Sequence, residues 1–302
     1  VQRHLDFSYY RKRAVALLFI MLRVPSDISS QEFESLKIQD MTFVAYRNEV
    51  YPSKYDVFFE EHAVIVVLEG EKKFTSPTQE VHVEKGDILF IQRGFYLMSE
   101  SIHEAYKSLV FFFDEKLLKE FVGLHPELFD AQKDAEAVEY PILLLKSDDN
   151  FEKFIQSVFP YFRSRTELKN HFLRLKFQEL LLHLMELDNS SQLRGILYSL
   201  YKGEKVDLSF LMNSYYLKPL TLNELARLSG RSLSAFKRDF QDEFNTSPAL
   251  WLKNKRLDYA DFLLRNSTKN VSEISTEIGY ESVSHFIKTY KEKYGTPPKR
   301  QG

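Results

Sequence analysis

The sequence predicts an α+β protein: a strand-rich N-terminal half closed into a small barrel or jelly roll, then helices, then an all-α C-terminal domain. Three observations carry this. From about Met41 to Phe113, short β-branched or alternating runs are punctuated by Gly-Asp turns. From Phe151 onward the apolar spacing changes to three and four, which is helical. In roughly the last eighty residues one helix-turn-helix pattern is written twice, about fifty residues apart.

The 302 residues, 44% hydrophobic and 15% aromatic, suffice for two or three domains with real cores. The absence of cysteine excludes a disulfide scaffold and thiolate chemistry and fits a reducing cytoplasm. The net charge of −2 hides an asymmetry. Leu217 to Gly302 holds 15 Lys and Arg against 10 Asp and Glu, whereas the rest holds 26 against 33. A basic end on an acidic body is the layout of a nucleic-acid reader with a separate sensing or assembly part.

Residues 1–40 read as a poorly defined leader. Arg11-Lys12-Arg13 before the apolar run Ala14 to Leu22 imitates an export signal, but no small-residue cleavage site follows and the run is too short to span a bilayer. No membrane role is expected. A start assigned too far upstream, with Met21 or Met41 nearer the true beginning, is the other reading.

The next segment, 41–125, is the expected strand domain. His62 to Gly70 is a β-branched run ending in a turn, Val81-His82-Val83-Glu84 alternates, and Lys85-Gly86-Asp87 precedes Ile88-Leu89-Phe90-Ile91. Ser108 to Phe113 makes a further strand. Glu115 to Asn150 reads as irregular and acidic.

Residues 126–205 are the expected helical linker and dimerisation region. Phe151 to Phe159 is one helix stopped by Pro160, and Thr166 to Leu187 a longer one. Along the latter, Leu173, Phe177, Leu180, Leu184 and Leu187 form one apolar stripe and Leu168, Phe172, Leu175 and Leu182 a second. Two stripes imply two packing partners. The first is expected to be the seam of a homodimer; the alternative is that both enter one thick monomer core. Ser191 to Tyr201 and Val206 to Tyr216 are two more short helices.

In 206–302 the two copies align residue by residue. Leu225, Ala226 and Gly230 recur as Ile274, Ser275 and Gly279; Phe236, Phe240, Phe244 and Pro248 recur as Phe286, Tyr290, Tyr294 and Pro298. Thr221 with Glu224, and Asn270 with Glu273, are capping boxes that start a short helix. The glycine supplies the left-handed turn after it. A second helix then buries its aromatic pair, four residues apart, and turns the intervening residues outward, toward a DNA major groove. Pro248 to about Asn266 reads as a rigid helix between the copies, ~28 Å long at ~1.5 Å per residue, against a duplex repeat of ~34 Å. Two readers on successive grooves of one face follow.

These residues, with Phe236-Lys237-Arg238, Arg256-Leu257, Ala260, Leu263-Leu264, Gly279-Tyr280 and Tyr294-Gly295-Thr296-Pro297-Pro298, make 206–299 resemble the DNA-binding domain of the AraC/XylS family of bacterial transcription regulators. Arg231, Ser275 and Asn245 depart from its usual apolar residue, alanine and glycine. The resemblance implies a DNA-binding regulator that contacts RNA polymerase. Leu68-Glu69-Gly70 with Lys85 to Phe90 resembles the cupin-like sensor half of many such regulators, most of all the activators of type III secretion. It implies an effector, either a small molecule or a protein partner. A metal cupin shows His-x-His, a glutamate and a distant histidine; here His62 stands alone and His82 pairs only with Glu84, so neither metal, cofactor nor catalysis is expected.

With Phe236 and Phe240 inward, Ser234, Lys237 and Arg238 face DNA, and in the second copy Val283, Ser284, Ile287 and Lys288. Arginine can meet a guanine edge in bidentate fashion, and the short side chains can meet the thymine methyl. Arg238 and Lys288 lead as base readers, with a phosphate contact as the alternative for each. Arg231, Ser232, His285, Lys269 and Asn270 are expected at the DNA backbone.

Overall fold

The computed structural model describes residues 21–28, 34–38, 40–48, 54–100, 105–132 and 141–299. The chain forms two compact units, one up to Gly203 and one from Glu204 onward.

In chain order the first unit contains β1 (Leu22–Val24), β2 (Glu34–Ile38), β3 (Met41–Asn48), β4 (Lys54–Phe59), β5 (His62–Glu69), β6 (Glu71–Thr75), β7 (Glu80–Glu84), β8 (Asp87–Ile91), β9 (Gly94–Glu100), β10 (Tyr106–Phe113), α1 (Glu115–Leu124), a 3-10 turn (Pro126–Gln132) and β11 (Ile142–Lys146). The helices α2 (Asp149–Val158), α3 (Pro160–Arg163), α4 (Lys169–Leu187) and α5 (Gln192–Lys202) follow. One sheet runs β1-β4-β9-β6-β7 and the other β11-β8-β5-β10-β3-β2.

The second sheet is covered on both faces, which explains its uninterrupted apolar runs. On β10, Val110 and Phe112 join Val57, Phe74 and Tyr96 of the first sheet, while Leu109, Phe111 and Phe113 join the helices. The order is therefore sheet, sheet, helices: two packed sheets with a helical layer on the outer face of the second.

Three expectations change. Within 1–40, the part described is no loose leader: β1 pairs in parallel with β4, β2 pairs with β3, and Leu36 is buried; residues 1–20 lie outside the described residues. Within Glu115 to Asn150, α1 is capped by Asp114, and β11 completes the edge of the second sheet against β8. The strand domain and the helical region also share one core rather than succeeding one another. Phe113 on β10 meets Phe177 on α4 at 4.9 Å between ring centroids.

That core takes up the expected dimer seam. Leu173, Phe177, Leu180 and Leu184 are buried in it and Leu187 packs against it, because this stripe is the one facing the sheet. The stripe is unavailable to a second subunit. The other stripe is the exposed one, with Leu168, Phe172, Leu175 and Leu182 between 40% and 60% accessible.

The second unit is helical: α6 (Leu208–Tyr215), α7 (Leu222–Leu228), α8 (Leu233–Phe244), α9 (Pro248–Asn266), α10 (Val271–Glu277) and α11 (Val283–Tyr294). Helices α7 and α8 form the first helix-turn-helix, α10 and α11 the second, and α9 joins them. Both capping boxes are complete, with Thr221 and Glu224, and Asn270 and Glu273, exchanging hydrogen bonds. Gly230 and Gly279 turn the chain with φ of +70° and +80°. At Gly230 a side chain is excluded twice over, since a Cβ would lie 2.8 Å from the Glu204 carbonyl oxygen.

Candidate nucleic-acid interface

Each recognition helix is held from below by aromatic rings. In α8, Phe236 and Phe240 are fully buried, and Phe240 stacks on Phe244 at 4.3 Å and meets Trp251 of α9 edge-on. In α11, Phe286 is buried and Tyr290 packs beneath it, but here the contact to α9 is polar: Tyr290 donates to Asp261 Oδ1 and Tyr294 to Asp258 Oδ1. Burial with Asp261 nearby holds the Tyr290 phenol well above the ordinary tyrosine range, and burial with Asp258 does the same for Tyr294. Lys293 and Tyr294 keep Asp258 below its ordinary value, outweighing its own burial.

Linker helix α9 is also tied to the segment that leads into the first helix-turn-helix. Arg256 donates from Nε to the Tyr216 carbonyl at 2.6 Å and from Nη2 to the Lys218 carbonyl at 3.1 Å. Burial lowers its pKa, yet two backbone acceptors satisfy the guanidinium.

The opposite faces of both recognition helices are open. Ser234, Lys237 and Arg238 are exposed on α8, and Ser284, His285, Ile287 and Lys288 on α11, with Val283 half-buried at its start. These are the positions the helical period assigns to a groove. Ser232 is exposed and caps α8, accepting from the Ala235 N–H.

The backbone-contact expectations divide. Arg231 is not free for a phosphate: its side chain is only 10% accessible, and its guanidinium donates to the Val206 and Ser229 carbonyls at 2.8 and 3.0 Å and to Asp239 at 3.1 Å. The guanidinium thus finds acceptors for its donors within the turn, which accommodates a charged residue there. Lys269 is paired with Glu277, and the Asn270 side chain is spent on its helix cap.

Asp239 escaped the sequence reading. It lies between an outward arginine and an inward phenylalanine, and its carboxylate receives Arg231, Lys205 and Arg238. Arg231 first, then Lys205 and Arg238, hold it down to about 2.

In the N-terminal unit, His62 is buried, its Nδ1 accepting the Arg93 N–H at 3.3 Å, and His82 is 3.4 Å from Glu71 rather than paired with Glu84. Among the described residues no three His, Cys, Asp or Glu side chains group as metal ligands. Between the sheets lies a cavity of about 260 Å³ lined by Val44, Val57, Phe74, Met98, Val110 and Lys72 among others. Lys72 is 2% accessible, with its ammonium 4.2 Å from the Tyr106 ring centroid and 4.6 Å from that of Tyr46. The alternation Lys72-Lys73-Phe74 puts Lys72 on the face of Phe74, a signal readable in the sequence.

Comparison with known proteins agrees with both units. Residues 62–196 match the ExsA N-terminal regulatory domain and residues 225–301 a helix-turn-helix domain. The chain is 24% identical over 238 residues to the virulence regulon transcriptional activator VirF of Yersinia enterocolitica, covering 79% of this chain and 88% of that one. It is 25% identical over 245 residues to the HTH-type transcriptional regulator ExsA of Pseudomonas aeruginosa, covering 80% and 85%. A crystal structure of apo ToxT from Vibrio cholerae aligns with a TM-score of 0.42 at 13% identity, over 86% of this chain and 96% of that one. The chain thus carries an ExsA-type regulatory domain in front of an AraC-type helix-turn-helix domain, and the full-length relatives it is similar to are DNA-binding transcription regulators of that kind.

Proposed function

We propose that the chain is a transcriptional activator that reads an asymmetric duplex site with α8 and α11, Arg238 and Lys288 contacting base edges and Ser234, Lys237, Val283, Ser284, Ile287 and His285 completing the surface. The observation that carries this reading is the pair of open recognition faces on one rigid α9, each backed by buried aromatic rings. The word activator rests on VirF, which is named a transcriptional activator. RNA polymerase is the implied partner, the work is done where the DNA is, in the cytoplasm, and no catalysis is assigned.

Two further assignments belong to the N-terminal unit. The exposed α4 stripe of Leu168, Phe172, Leu175 and Leu182 is the face offered to a second copy, making a homodimer. The cavity between the sheets favours a small, mostly apolar effector over a protein one, since about 260 Å³ holds roughly nine water-sized groups.

Selection of duplexes from random sequence by the full chain, followed by footprinting, tests the DNA assignment. The expected result is one enriched site protected on two successive grooves of one face; absence of enrichment refutes it. Native mass spectrometry of the same protein tests the effector: a retained small molecule is expected, lost when Val57→Trp fills the cavity. An unliganded protein that instead captures a protein partner reverses that assignment.

A further inference from the structure

Asp239 gathers three cations on two oxygens. Oδ2 accepts from Arg231 Nε at 3.1 Å and from Lys205 Nζ at 3.2 Å, and Oδ1 accepts from Arg238 Nη2 at 3.1 Å. The first of these is anchored: Arg231 is itself fixed to the Val206 and Ser229 carbonyls, and Val206 N–H donates to the Ser229 carbonyl at 3.2 Å. The carboxylate is therefore referenced to the backbone of the turn that aims α8.

The third bond differs in kind. Successive residues on a helix do not face each other, so the Arg238 side chain must turn across its own helix to reach Asp239. Arg238 remains 69% accessible while doing so. A guanidinium carries five N–H donors, so four remain for a base edge or a phosphate. An arginine already held by one bond loses less rotamer freedom on meeting its target. Among the described residues nothing comparable backs Lys288: Thr289 follows it and donates to the His285 carbonyl of its own helix.

We propose that Asp239 is a positioning residue for base reading, holding the Arg238 guanidinium in the pose that meets a base edge while its negative charge weakens attraction to phosphates where that pose finds no match. The inference rests on Arg238 being a base contact.

The test uses the full chain, a duplex enriched from random sequence by the wild type, and a scrambled duplex of the same composition. Arg238→Ala is expected to lose roughly tenfold on the enriched duplex and little on the scrambled one. Asp239→Asn, which keeps the shape and an acceptor, should lower the enriched-to-scrambled affinity ratio by a comparable factor, with scrambled binding unchanged or tighter because a negative charge is gone. Added to Arg238→Ala, it should lower the ratio no further. Asp239→Glu keeps the charge and moves it by one methylene; it should lose discrimination too, and it serves if the asparagine variant fails to fold. Additive losses in the double variant, or a glutamate variant as selective as the wild type, overturn the proposal and leave Arg238 as a reader. An Arg238→Ala protein that binds the enriched duplex like the wild type overturns both.

Discussion

Tyr290 of the second recognition helix donates its hydroxyl proton to Asp261 of the linker helix at 2.5 Å, where the first repeat carries Phe240 packed against Trp251. The two repeats thus attach to one helix by different chemistry, one polar and titratable, one apolar. Tyr294 and Asp258 repeat the difference one turn on, opposite Phe244.

This difference predicts an alkaline weakness confined to the second repeat. Tyr290 and Tyr294 have folded-state pKa values raised above their unfolded value of about 10, by burial and then by the neighbouring aspartates. Their contribution is complete below pH ~10 and is lost as pH rises from there toward the raised value. Thermal melting of residues 204–302 between pH 9 and 11 should show a falling midpoint that is clearly flatter in a Tyr290→Phe, Tyr294→Phe double variant. Tyr280, also raised by burial, leaves a shallow slope in both. Equal slopes would show that the hydroxyls carry no folding energy.

Arg231 and Arg238, seven residues apart, should fail in opposite ways. Removing the Arg231 guanidinium leaves the Val206 and Ser229 carbonyls and Asp239 without their shared donor. Arg231→Ala should cost about 2 kcal/mol of stability, several degrees of melting temperature in a domain of this size, with the salt dependence of DNA binding unchanged. Arg238→Ala should leave the melting temperature alone. A reduced salt slope for Arg231→Ala would return that residue to the DNA backbone.

What could be read before folding follows the range of the forces involved. Capping boxes, the glycine turns and the inward aromatic pairs are local, and all stand where spacing put them. The structural bonds of Arg231 are not legible locally, because the carbonyls it serves come partly from Val206, 25 residues away. The edge strand Ile142–Lys146 shows no alternation in Ile-Leu-Leu-Leu-Lys; only pairing with β8 makes it a strand. Periodicity likewise revealed two apolar stripes on α4 but not which one the sheet would take, since that choice depends on Phe113 and its neighbours.

The C-terminal unit should bind duplex DNA by itself. Residues 204–302 make a compact unit whose exposed cations on α8 and α11 include Lys237, Arg238 and Lys288. Each phosphate neutralised contributes about −0.9 to the slope of log affinity against log salt, so a fluorescence titration over a salt series counts the contacts. A slope of at least about −3 is expected from these side chains and their neighbours. Affinity indifferent to salt would exclude this surface.

The last prediction decides which face of α4 meets a second copy. Leu180 and Leu184 are fully buried in the core that the helix shares with the sheet, so placing Glu at both puts two carboxylates in an apolar interior. Each such burial costs several kcal/mol, comparable with the whole stability of a domain, and the helical layer should come apart. Leu175 and Leu182 lie on the opposite face, 60% and 42% accessible, where a carboxylate keeps its water. Glu at both of these should leave the stability within about 1 kcal/mol of wild type while abolishing the apolar contact these two make between copies. Light scattering with thermal melting separates the cases: an unfolded or aggregated Leu180, Leu184 variant beside a folded, monomeric Leu175, Leu182 variant is expected. A Leu175, Leu182 variant that stays dimeric rules these two out as the seam and confines any contact through this stripe to its N-terminal pair, Leu168 and Phe172.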